Sequence, residues 1–116
     1  MKTTRGLIIK KEFLDLIFSA AKTWEIRGTR TKVEGRIGLI ESGSGKVMGD
    51  AELVECVGPL SLAELKRNAR KAGTIPSKID ELPYEKTYAW VMKNARRSRK
   101  PKSYIHPRGA IIWVKL

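Results

Sequence analysis

The stretch Lys46–Val57 constrains the fold more than any other part of the sequence. Val47, Gly49, Ala51 and Leu53 alternate there with Met48, Asp50 and Glu52, the two-residue period of a strand with one face inward. Glycine and alanine on the inward side leave room for tight curvature, as in a small barrel. Just ahead, Ser42-Gly43-Ser44-Gly45 reads as a tight turn, because two glycines accept positive φ without penalty. It joins Lys46–Val57 to the strand Arg36–Glu41 as a hairpin. Gly43-Ser44-Gly45-Lys46 does not read as a phosphate loop, since the full spacing is missing and no helix follows.

The remaining elements suit such a sheet. Gly6-Leu7-Ile8-Ile9 is wholly apolar and reads as a central strand buried on both faces. Over Lys11–Ala21 the period changes: Phe13, Leu14, Ile17, Phe18 and Ala21 recur at helical spacing, with Glu12 and Asp15 in the early turns. Lys22–Arg27 follows as a short strand, and Gly28–Gly35 as a polar connection. Ser61-Leu62-Ala63-Glu64 has the pattern of a capping box, opening a helix that runs to Ala72 and stops at Gly73. Leu62, Leu65 and Ala69 form its buried side; Lys66, Arg67, Arg70 and Lys71 form a side that is either solvated or in contact with phosphate. Thr74–Glu85 contains Pro76 and Pro83 and no period, hence a loop. Thr87–Met92 is a strand by its β-branched and aromatic content, and Gly109–Val114 closes the fold by pairing with the first strand. The expected fold class is α+β: a small, mostly antiparallel barrel of about six strands with two or more flanking helices, in one domain spanning residues 1–116.

Charge narrows the choice of partner. The chain has 24 Lys and Arg against 12 Asp and Glu, a formal net charge of +12. Residues 1–60 hold 10 basic and 8 acidic side chains, residues 61–116 hold 14 and 4, so the excess sits in the second half. A polyanion, nucleic acid above all, is the expected partner, because cations that neutralise phosphates release condensed counterions. No basic amphipathic helix with an aromatic face points to a membrane surface. No apolar run approaches the roughly 18 residues of a membrane helix. The lead Met1-Lys2-Thr3-Thr4-Arg5 enters an apolar stretch too short for a signal peptide, so a soluble, cytoplasmic monomer is expected. One cysteine and one histidine exclude an internal disulfide and a structural zinc site. Cys56 lies among apolar neighbours and reads as a packed thiol.

Two stretches carry candidate chemistry. In Lys22-Thr23-Trp24-Glu25-Ile26-Arg27, a strand sends Trp24 and Ile26 to the core and Thr23, Glu25 and Arg27 together to the other face, with Lys22 reaching over the same row. The plain alternative is a solvated strand face. From Lys93 to Arg108 there are seven cations (Lys93, Arg96, Arg97, Arg99, Lys100, Lys102, Arg108), no acid, and Tyr104 and His106 interleaved. Aromatics among cations suit base stacking while phosphates are neutralised; mere solubility is the alternative.

The order of elements and the residues themselves resemble an ASCH domain of the PUA-like superfamily, over nearly the whole chain from Gly6-Leu7-Ile8-Ile9 to Ala110-Ile111-Ile112-Trp113-Val114. The family signature Gly-x-Lys-x-x-Glu-x-Arg falls on Ala20 to Arg27: Lys22, Glu25 and Arg27 match, and Ala20 replaces the glycine. His106-Pro107-Arg108-Gly109-Ala110 is similar to the closing motif of the branch with a tryptophan-rich last strand. The resemblance implies RNA binding. It also implies two catalytic alternatives, a metal-assisted ribonuclease and an amidohydrolase acting on acetylated cytidine. The second uses a lysine and a threonine of the motif with a distant glutamate; Glu25 takes the threonine's place here, and Thr23 is two positions out of register.

The functional expectation is therefore an RNA-binding or other nucleic-acid-binding domain, or one holding a nucleotide-like small ligand. Its cleft would be floored by Lys22, Glu25 and Arg27 and rimmed by Lys93–Arg108. Contacts to nucleic acid are expected from Lys22, Arg27, Arg30, Lys93, Arg96, Arg97, Arg99, Lys100, Lys102, Tyr104 and Arg108. If the cleft is catalytic, Lys22, Glu25 and Arg27 act, with Tyr104 or His106 giving a proton to the leaving group. No cofactor or protein-held metal is expected, save a divalent cation in the ribonuclease reading.

Overall fold

The computed structural model describes residues 3–116; Met1 and Lys2, part of the lead read above as too short for a signal peptide, lie outside it. Six strands and two helices follow in the order β1 (Arg5–Ile9), α1 (Lys11–Phe18), β2 (Trp24–Arg27), β3 (Gly35–Glu41), β4 (Lys46–Val57), α2 (Leu62–Arg67), β5 (Tyr88–Ser103) and β6 (Trp113–Lys115), with one 3-10 turn at Pro76–Lys78. They form one curled sheet in the order β2-β5-β4-β3-β1-β6. Every neighbouring pair is antiparallel except β1 and β3, whose parallel pairing requires the crossover that α1 and β2 supply. Among the described residues no helix is long and apolar enough to cross a membrane.

The inward side of β4 is as its alternation dictates: Gly49, Ala51 and Leu53 are buried. A Cβ at Gly49 would run into the Arg96 carbonyl oxygen and the Phe18 ring, so β5 and α1 press onto the strand where its side chain is missing. Leu14 and Ile17 anchor α1 in the larger core cluster with Leu7, Leu39, Leu53 and Trp90. Cys56 packs against that cluster and is partly buried. A smaller cluster under α2 gathers Trp24, Leu60, Leu65, Ala69, Ile79 and Ala89. The capping box at Ser61 forms in full: its hydroxyl accepts from the Glu64 amide at 3.1 Å and its amide donates to the Glu64 carboxylate at 2.8 Å.

Four expectations need correction: the helix read as running to Ala72 ends at Arg67 and continues only as turns, the one read over Lys11–Ala21 ends at Phe18, and two strands differ in length. The strand read over Thr87–Met92 does not end at Met92. It continues as β5 as far as Ser103, because β4 offers backbone partners along its whole length. A run of cations does not oppose a strand whose side chains are exposed to water. The last strand is also shorter than expected, Trp113–Lys115, and Ile111 is left largely exposed. It does pair with β1, but the sheet remains a half-barrel with β2 and β6 at its two ends.

Arg27 spans that opening. Its Nη2 donates to the Ile8 carbonyl oxygen at 2.7 Å, tying β2 at one end of the sheet to β1 near the other. Beneath it lies Trp90, 5.6 Å from guanidinium carbon to ring, which itself stacks on Trp113 at 5.7 Å and donates its indole N–H to the Thr29 carbonyl at 2.9 Å.

Candidate functional site

The signature segment begins where α1 ends. Ala20 adopts the left-handed conformation, φ 65°, and the turn is closed by the Ala20 amide on the Ile17 carbonyl and the Lys22 amide on the Leu16 carbonyl, both at 3.1 Å. That backbone is the one a glycine takes freely, so alanine reproduces the motif's turn at a cost of about 1 kcal/mol. The chain then passes beneath the segment after α2: the Thr23 and Trp24 amides both donate to the Lys71 carbonyl, at 2.8 and 2.9 Å. Regular strand pairing with β5 starts at Trp24, opposite Val91.

Glu25 stands between two cations. Arg27 meets its Oε2 through Nε at 3.0 Å and Nη2 at 2.8 Å, and Lys22 Nζ lies 3.6 Å from its Oε1. Lys22 also donates to the Ala72 carbonyl at 3.0 Å and sits 5.3 Å from the Phe13 ring centre. The row is no solvated face: the Lys22, Glu25 and Arg27 side chains are only 4%, 6% and 17% exposed. Burial pushes the Lys22 ammonium below the ordinary lysine range, Glu25 opposes that shift, and Arg27 adds to it. Gly73 makes this packing possible. Its φ is 79°, and a Cβ there would meet Lys22 Cβ and Leu16 Cδ1, each at 3.2 Å.

Lys22, Glu25 and Arg27 line a cleft of about 720 Å³, within the range that takes a nucleotide-sized ligand. Its walls come from α1 and the end of β1 (Phe13, Ile8, Lys10), from the segment after α2 (Ala72, Gly73, Thr74), and from Lys78 to Tyr84. Ser42 and Ile111 also contribute. Phe13 is 40% exposed and Tyr84 46%, so two aromatic rings stand half free at this cleft. The Tyr84 ring rests on Gly28, where a Cβ would meet it at 2.8 Å. Lining charges nearly balance: Lys10, Lys22, Arg27 and Lys78 face Glu25, Asp80 and Glu81.

The other sequence-derived candidates lie elsewhere. Thr23 does not line the cleft, because the two-residue alternation begins only at Trp24. Arg30 is exposed, donates to the Gly58 carbonyl at 2.9 Å and covers Tyr88. Lys93, Arg96, Arg97, Arg99, Lys100 and Lys102 run along β5, which carries them along β4 and away from the cleft, and Arg108, beyond the end of β5, does not line it either. Tyr104 and His106 bond each other, hydroxyl to Nδ1 at 2.8 Å, while His106 Nε2 meets the Ala110 carbonyl at 2.8 Å; neither reaches the floor row. Phe13, Tyr84, Lys10 and Lys78 were missed by the sequence reading. Phe13 looked like one more member of an apolar stripe, and Tyr84 sits in a loop without periodicity.

A divalent cation does not fit these residues. Glu25 is already held by Lys22 and Arg27, and among the described residues no three His, Cys, Asp or Glu side chains gather around one point.

A family model for the ASCH domain matches residues 7–102. No curated protein matches the sequence. Among solved structures, the crystal structure of ASCH from Zymomonas mobilis has a TM-score of 0.71 at 20% identity, covering 97% of this chain and 86% of that one. A tyrosine-to-phenylalanine mutant of the same protein gives 0.72 at 21% identity, covering 99% and 91%. A serine-to-alanine mutant gives 0.68 at 22%, covering 97% and 87%. These likenesses extend the fold over the whole curled sheet. With the signature residues Lys22, Glu25 and Arg27 together in its cleft, the chain belongs to the ASCH domain family.

Proposed function

We propose that this ASCH domain binds single-stranded RNA and takes one nucleotide into the cleft. The observation that carries the reading is the pairing of a fixed polar floor with two half-exposed rings, Phe13 and Tyr84, in a space of nucleotide size. The rings offer π-faces to a base, and base–aromatic stacking contributes about 1–3 kcal/mol per base. Lys22 and Arg27 supply donors and Glu25 an acceptor for a base edge or a sugar hydroxyl, held in place by one another and so ordered before the ligand arrives. Phe13→Ala and Tyr84→Ala remove exposed surface and leave the core intact. Each is expected to weaken binding of a 12-nucleotide single-stranded RNA about tenfold or more in a fluorescence anisotropy titration. Unchanged affinity in both counts against the reading.

A second reading, hydrolysis of the bound ligand, rests on Lys22. Burial that favours the neutral amine leaves a larger fraction of Lys22 unprotonated than of an exposed lysine, and only the unprotonated amine can accept a proton. On an acylated cytidine it would accept the proton of an attacking water; on RNA it and Arg27 would face the phosphate. Purified protein is incubated with RNA and with N4-acetylcytidine, beside Lys22→Met. Product that Lys22→Met makes equally fast rules this reading out.

A further inference from the structure

The largest irregularity of the sheet lies in the arm where β4 and β5 pair. Between the partners Val47–Lys102 and Gly49–Arg97, β4 advances two residues and β5 advances five. Ser98 to Pro101 therefore project from the ladder opposite Met48. Ser98 folds this projection into a tight tip: its hydroxyl donates to the Lys100 carbonyl at 3.0 Å and accepts from the Lys100 amide at 3.3 Å. The base of the tip is anchored. The Arg97 guanidinium lies 4.5 Å over the Phe18 ring and 3.1 Å from Asp15, and Arg96 is 3.5 Å from Asp50. Arg99, Lys100 and Lys102 are exposed and, among the described residues, make no ion pair.

The cleft, by contrast, is lined by four cations and three carboxylates. Its own field draws a polyanion weakly, and none of the arm residues lines it. We infer that the bulged tip is a second contact site, separate from the cleft, where Arg99, Lys100 and Lys102 hold phosphates of the bound RNA strand. A turn fixed by hydrogen bonds and braced by Arg97 on α1 presents Arg99 and Lys100, with Lys102 at its base beside Val47, so phosphate contact there positions the strand while the cleft receives one nucleotide. The choice of RNA as partner rests on the function proposed above; the separateness of the tip does not.

The test compares the full chain with the triple variant Arg99→Ser, Lys100→Ser, Lys102→Ser, binding the same 12-nucleotide RNA between 50 and 200 mM salt. Losing three phosphate contacts lowers the slope of log affinity against log salt by about 2, so the parent should lose roughly 16-fold more affinity than the variant across that range. A second triple variant, Lys66→Ser, Arg67→Ser, Arg70→Ser, removes the same charge from the exposed side of α2 and the turn after it and is expected to keep the parent's slope. Equal slopes in the parent and the tip variant overturn the site, and so does an equal fall in the α2 variant, which would make the effect one of net charge. If the tip variant loses slope while Phe13→Ala and Tyr84→Ala keep full affinity, the cleft reading falls and the tip stands. A parent that binds phosphatidylserine vesicles and not RNA overturns both.

Discussion

Ala20 holds a left-handed backbone that its own side chain resists, at the one signature position where this chain departs from glycine. Glycine there removes the steric cost at the price of a more flexible unfolded chain, so Ala20→Gly is expected to stabilise the domain by about 0.5–1 kcal/mol in urea denaturation. Two residues on, Lys22 couples the site to pH. Its folded pKa lies below that of an unfolded lysine because burial disfavours the ammonium. Between the folded and unfolded values the unfolded chain binds the extra proton, so stability rises as pH climbs through that window toward the ordinary lysine value. Lys22→Met lacks this gain. Measured by denaturation at successive pH values above neutrality, the stability of the parent relative to Lys22→Met should therefore increase with pH; a flat difference would place Lys22 in water rather than on the cleft floor.

At the scale of elements, the pairing of β4 with β5 sets the curl that makes a cleft possible. Gly49 is where β5 and Phe18 come closest, and Gly49→Ala is expected to cost about 1–3 kcal/mol and to broaden the unfolding transition of the arm. The pattern on β4 was legible in the sequence because alternation and small residues both report on a buried face. So were α1 and the cap of α2, whose signals are local. The length of β5 was not legible: a run of cations says nothing about a backbone partner, which β4 supplies from about forty to nearly sixty residues away. Nor was the shortness of β6. Ile111 and Ile112 read as strand, yet only Trp113 to Lys115 find β1 in register.

For the molecule as a whole, the floor row and the basic run turned out to be two places and not one. Lys22, Glu25 and Arg27 were legible as a group because strand alternation and the family signature agree on them. Their burial was not, since it comes from Ala72 and Gly73 folding over the row from a distant part of the chain. Arg27 belongs to both fold and site: it closes the half-barrel onto Ile8 and fixes Glu25 in the cleft. Ligand binding and closure of the sheet should thus be coupled through one side chain. Nuclear magnetic resonance titration of the full chain with the single-stranded RNA tests the central claim most directly. The largest shift changes are expected at Lys22, Glu25, Arg27, Phe13 and Tyr84, with smaller ones along Arg99 to Lys102. Changes confined to the arm, with the five cleft residues silent, would contradict it.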